Sequence, residues 1–195
     1  MAKKGVLTTA DWLTYDEYKK LLNGLHQDKN YFYEAFATLA FCTACRVSDC
    51  LALRWSMILN TDKAVLKEKK RGKIRKITFS KSVRKKISEL YKLMGRPNVN
   101  ELVFVNQRTG NPITVQTINH SLKTLKYRYR LSINHFSTHT FRKTFGRYVY
   151  EINGHSAESL ILLNNILNHT SIETTKRYIG ITDEEIGGVF DSIAI

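Results

Sequence analysis

With 195 residues, 43% of them hydrophobic, the chain can bury one good core, and two small lobes are the upper limit. Thirty-one Lys and Arg against seventeen Asp and Glu leave a formal net charge of +14, which points to a polyanionic partner. No stretch approaches the ~20 consecutive apolar residues of a spanning helix, and MAKKGVLTTADW lacks the apolar centre of a signal peptide, so no membrane is implied and the cytoplasm is the expected location.

Thr14 followed by Glu17 is a capping box that opens an amphipathic helix, TYDEYKKLLNGLH, and a second, apolar helix follows in FYEAFATLAF. Arg46 comes just beyond it, ahead of a short helical run, SDCLALRW. Between Asp62 and Ser80 the pattern becomes AVLKEKK, the turn-like Arg71-Gly72, and KIRKITF with alternating apolar residues, which predicts a β-hairpin with a basic tip. Helical periodicity returns from Ser82 to Met94 and closes at Gly95. ELVFV then predicts a short strand, and VQTINHSLKTLKYRYRL a basic helix after the breaker pair Asn111-Pro112. STHTFRKTFGRYVYEI, SAESLILLNNILNH and SIETTKRY are further helices, each opening near a Ser that can cap free backbone N–H groups. In the tail, Thr182 and Glu185 box the start of DEEIGGVFDSIAI. The expected fold class is α+β, mainly helical with a small antiparallel sheet of about three strands.

The basic charge is concentrated: residues 63 to 86 hold twelve Lys or Arg and a single acid, Glu68. Such a run can be a solvated face, but Lys69, Arg71, Lys73 and Arg75 at its turn are candidates for nucleic-acid contact. A second basic segment, KTLKYRYR, sets Lys123, Lys126 and Arg128 among aromatics. Phosphate contact and stem packing explain that mixture without base readout. Cys42, Cys45 and Cys50 are spaced for a helix rather than a disulfide framework and read as small buried thiols; a metal site would need a fourth ligand and a loop geometry.

His139 and Arg142, three apart in a helical segment, project from one face with their tips within reach of a common anion. His135 precedes that helix, and no Glu follows His139 as in an H-E-x-x-H metal site, so no metal is indicated. LNHTSIETTKRYIG places His169 at a helix end and Tyr178 nine residues later, across a turn capped by Ser171. Taken singly, His139 reads as a structural histidine and Tyr178 as a packing residue.

Together these segments resemble the phage integrase or tyrosine recombinase family, whose motifs occur here in order. TACRVSDC is similar to the family's T-G-L-R-x-S-E-L, HTFRKTF to H-x-L-R-H-T-F, and LNHTSIETTKRYI to L-G-H-S-S-I-x-T-T-x-x-Y. From Arg46 to Tyr178 the motifs bracket 133 residues, about two-thirds of the chain. Cys45 stands where the family usually has Leu, Asp49 where it has Glu, and Asn168 where it has Gly, and none of these removes a functional group that the chemistry needs.

The resemblance implies a recombinase catalytic core in which Arg46 and Arg142 grip the scissile phosphate, Tyr178 attacks phosphorus, and His139 and His169 complete the pocket. His139 would also assist proton transfer from the tyrosine. The family's remaining catalytic residue is a hairpin lysine about eight residues ahead of a Pro. Thr78 takes that Pro's position here, and counting back gives Lys70, with Lys69 and Lys73 close by. Planar arginine forks can meet the charge that spreads over the non-bridging oxygens in the transition state. A phenol is a weak nucleophile at neutral pH, so a neighbouring base and a dense positive field must favour the phenolate.

The family uses neither a metal nor a nucleotide cofactor. The expected partners are double-stranded DNA and copies of the chain itself, monomeric in solution and tetrameric on DNA. Residues 1–181 would form the catalytic domain. Residues 182–195, with four acids and no bases, would form a tail helix that docks on a neighbouring protomer. Family members usually add an N-terminal DNA-clamping domain, so the chain is expected to be either a fragment or a solitary catalytic domain. Two rivals share the residue set or the fold: a type IB topoisomerase, and a DNA-binding regulator without turnover.

Overall fold

A computed structural model of the protein describes residues 10–70, 72–106 and 108–181. The helix α1 (Tyr15–Gln27) opens on the expected capping box, with Thr14 accepting from Glu17 N and Glu17 reaching back to Thr14 N. Such a cap contributes about 1 kcal/mol. The apolar α2 (Tyr31–Thr43) runs through the core between α1, α5 (Lys81–Leu93) and α7 (Thr138–Ile152). Phe36 at its centre meets Phe104 and Phe141 edge to face, with ring centroids 5.5 Å and 5.7 Å away. A smaller cluster of Val149, Leu160, Leu163 and Ile179 joins α7 to α8 (Ala157–Leu167) and α9 (Ile172–Ile179).

The hairpin forms where the alternation placed it, with β1 (Lys63–Lys67) antiparallel to β2 (Ile74–Thr78) and Lys67 opposite Ile74. Ala64, Leu66 and Ile77 face the core, while Val65 and Ile74 face solvent. Among the described residues this is the whole sheet, two strands rather than about three. ELVFV makes isolated bridges instead, Leu102 with Arg54 and Val105 with Pro112. Pro112 has no N–H to extend a ladder.

The same bridge divides the expected helix SDCLALRW into α3 (Val47–Cys50) and α4 (Trp55–Ile58). Trp55 N donates to Glu101 O and Val103 N to Leu53 O, so tertiary pairing holds Arg54 extended between the two short helices. The basic helix α6 (Val115–Arg128) ends three residues earlier than its apolar pattern suggested. Cys45 and Cys50 are buried and Cys42 half-buried, and all three are free thiols. No helix of the described residues is long and apolar enough to cross a membrane. Residues 182–195, including the expected tail helix, lie outside the described residues.

Candidate active site

Five of the six expected catalytic residues converge where α3, α7 and the α8–α9 corner meet. Arg46 is the N-cap residue of α3, in extended conformation, and its Nη1 donates to Glu68 Oε2 at 2.8 Å. Arg142 lies on the buried face of α7, only 3% exposed. Its guanidinium donates to Leu167 O at 2.6 Å and to Ala44 O, so it clamps the end of α8 to the end of α2. Ala44 accepts there in a left-handed conformation that ends α2.

Tyr178 stands on the inward face of α9 with its hydroxyl oxygen buried and without a hydrogen bond. The Arg142 guanidinium carbon is 5.8 Å from its ring centre and Lys143 Nζ is 5.6 Å from it. Burial pushes the phenol up from its ordinary value of 10.0, against the opposing pull of Arg142 and Arg46. A phosphate oxygen drawn to those arginines would therefore find a neutral, desolvated phenol beside it. His139, three residues before Arg142, is held below its ordinary 6.5 by burial and by the charges of Arg142, Lys143 and Arg46. It is neutral at pH 7 and free to accept a proton.

His169 is brought in by the left-handed Asn168, which ends α8 at φ 52°. Its Nδ1 lies 3.1 Å from Thr175 Oγ1, and its ring meets that of Tyr178 edge to face at 5.0 Å. α9 itself is set by two close packings. A Cβ on Gly146 of α7 would come within 2.7 Å of Ile179 Cγ2, and Gly180, left-handed at φ 76°, is covered by the indole of Trp12.

Lys70, the sixth, has no hydrogen bond or ion pair with these five among the described residues. Lys69 and Lys70 are exposed in the β1–β2 turn. Lys69 N donates to Asp49 Oδ1 at 2.9 Å, which ties the turn to α3. Of the expected DNA contacts, Lys73 and Lys123 are exposed, Lys126 donates to Asn134 O, and Arg71 lies outside the described residues. Arg128 is paired with Asp28 at 2.6 Å. Arg75 points inward, donating to Thr43 O at 2.6 Å and Ala44 O at 3.2 Å.

Sequence reasoning missed Lys143, Thr175 and the role of Glu68. Lys143 lies four residues after His139 and Thr175 three before Tyr178, so helical spacing alone puts each on the face of a named site residue. Glu68 is visible in the sequence as the single acid of the basic run, but its burial depends on contacts with residues far along the chain.

Comparison with known proteins bears on the family and the fold. The family model described as "Phage integrase family" matches residues 11–185. The probable integrase/recombinase YoeC of Bacillus subtilis (strain 168) is 35% identical over 142 residues, 73% of this chain and 74% of that protein. The crystal structure of XerA recombinase superposes with a TM-score of 0.72 at 20% identity, covering 96% of this chain and 66% of that one. XerH site-specific recombinase bound to palindromic difH substrate, a post-cleavage complex, also gives 0.72 at 18% identity, covering 95% of this chain and 54% of that one. The chain thus spans between half and two-thirds of these two solved recombinases. The arrangement of Arg46, His139, Arg142, His169 and Tyr178 and the family match across most of its length agree: this chain belongs to the phage integrase family.

Proposed function

We propose that the chain cuts and rejoins DNA as a site-specific recombinase serving integration and excision of a mobile element. Tyr178 Oη attacks the scissile phosphorus, the P–O5′ bond breaks, and a 3′-phosphotyrosyl ester and a free 5′ hydroxyl result. The 5′ hydroxyl of a partner strand then attacks that ester and releases the phenol. Bond energy is kept in the intermediate, so the exchange runs on this chain's own side chains. Arg46 and Arg142 hold the non-bridging oxygens, His139 takes the phenolic proton, His169 orients the ring of Tyr178, and Lys70 protonates the leaving 5′ oxygen.

The observation that carries this reading is the buried hydroxyl of Tyr178, which makes no hydrogen bond of good geometry and lies under the pull of the inward-facing guanidinium of Arg142. A structural tyrosine finds a partner for its hydroxyl when it is buried. The net charge of +14 and the exposed Lys69, Lys73 and Lys123 support double-stranded DNA as partner. The XerH structure, a recombinase bound to its difH substrate, supports the same partner. Residues 182–195, acidic and without bases, are proposed to dock on a basic neighbouring protomer in a tetramer on DNA. Deleting them should abolish that assembly while leaving the monomer folded.

The test is strand transfer between two labelled duplexes that carry the same site. Joint molecules that form only when both duplexes share the site support a recombinase. Relaxation of any supercoiled plasmid without paired sites would replace it with a topoisomerase. DNA binding with neither reaction would leave a regulator on the same fold.

A further inference from the structure

Glu68 is the acid that a solvated basic run would keep at its surface, yet it is 2% exposed. Its Oε2 accepts from Arg46 Nη1 at 2.8 Å and from Asn168 Nδ2 at 3.1 Å, and its Oε1 lies 3.9 Å from Arg75 Nη1. Burial alone would raise this carboxyl, but Arg46, Asn168 and Arg75 outweigh it and hold it below its ordinary 4.5, so it is charged at neutral pH. One side chain therefore touches the residue that opens α3 and the residue that precedes His169.

The backbone of the same residue closes the hairpin. Glu68 N donates to Lys73 O at 2.9 Å and Gly72 N to Glu68 O at 2.8 Å, so both backbone groups of Glu68 close the turn that carries Lys70. An open recess of about 440 Å3, lined by polar and apolar side chains, lies between β2 and the Asn165–Asn168 end of α8. Across that recess the polar clamp is the bridge. Asn168 fits the left-handed position that ends α8, and unlike the Gly of the family motif it also brings an amide donor to Glu68.

We propose that Glu68 is a positioning residue, which docks the β1–β2 turn and with it Lys70 onto Arg46 and Asn168. This rests on the recombinase reading above. The carboxylate occupies one donor of Arg46, and the guanidinium has others to offer a phosphate. Together with the Lys69 N–Asp49 Oδ1 bond, this contact sets where the proton donor stands.

The test compares wild type, Glu68→Gln, Glu68→Asp and Asn168→Gly on nicked duplexes whose scissile phosphate has either the ordinary 5′ oxygen or a bridging 5′ sulfur. Thiolate leaves without a proton, so sulfur bypasses Lys70. Glu68→Gln should slow covalent-adduct formation about ten-fold or more on the oxygen substrate, and sulfur should recover most of that loss. Asn168→Gly, which a left-handed position tolerates, should show a smaller loss with the same recovery, and Glu68→Asp should retain more activity than Glu68→Gln. Equal slowing of Glu68→Gln on both substrates, or none on either, overturns the proposal while leaving the reading intact. A wild-type adduct that survives Tyr178→Phe overturns the reading, and this proposal with it.

Discussion

The imidazole of His169 and the phenol ring of Tyr178 meet edge to face, with centroids 5.0 Å apart and planes at 72°. Nine residues separate them in sequence, and the turn between them is fixed by Ser171, which caps α9 at Thr174 N. The contact is held from below by Thr175, fully buried, whose Oγ1 lies 3.1 Å from His169 Nδ1 and accepts from Asn164 Nδ2 at 3.2 Å. α8 and the histidine therefore share one hydroxyl, and the tyrosine ring packs on that histidine.

Thr175→Val keeps the shape of that side chain and removes the hydroxyl, leaving the amide of Asn164 without this acceptor. Denaturant unfolding should show a loss of about 1–3 kcal/mol, the cost of a buried polar group left unpaired. Adduct formation on nicked DNA should fall by more than the stability change explains, because His169 loses one of the contacts that orient its ring. An unchanged rate would remove His169 from the positioning of Tyr178.

Gly146→Ala tests the seating of α9. Alanine is favoured over glycine within a helix by about 1 kcal/mol, but here its Cβ would stand 2.7 Å from Ile179 Cγ2, beside Tyr178. Overpacking of this kind costs about 1–3 kcal/mol. The variant should keep its helical circular dichroism and lose about ten-fold or more of its cleavage rate as Tyr178 is pushed off line. A stabilised, fully active variant would show that α9 yields freely at this contact.

His139 gives the pH dependence. Its folded value lies below the ordinary 6.5 because burial and then Arg142, Lys143 and Arg46 disfavour the charged form. A depressed folded value contributes stability that is complete above pH 6.5 and is lost as pH falls through the lower folded value. The acid limb of the cleavage rate should accordingly have its midpoint below 6.5 in wild type and be absent in His139→Gln. A midpoint above 6.5 would mean that the imidazole gains rather than loses protons in this site.

The residues that the structure brings together were named in the sequence through the family resemblance, whose motifs have local spacing: His139 with Arg142 on one helical face, His169 with Tyr178 across a capped turn. The capping box at Thr14 and the hairpin alternation from Ala64 to Phe79 were legible for the same local reason. What failed depends on distant partners. Leu102 pairs with Arg54 across nearly fifty residues, and that pairing shortened a strand and split a helix at once. Arg75 looked like a surface cation in a basic run, yet the carbonyls of Thr43 and Ala44 draw it inward. Asn168 looked like a harmless departure from the family motif until the structure placed Glu68 opposite its amide.

The most direct test of the account is to trap the covalent adduct on nicked DNA, digest it with trypsin and map the modified residue by mass spectrometry. Cleavage after Arg177 makes Tyr178 the first residue of its peptide. The account predicts a nucleotide linked through its 3′ phosphate to Tyr178, and no adduct in Tyr178→Phe. An adduct at any other residue, or one that persists in Tyr178→Phe, would contradict it.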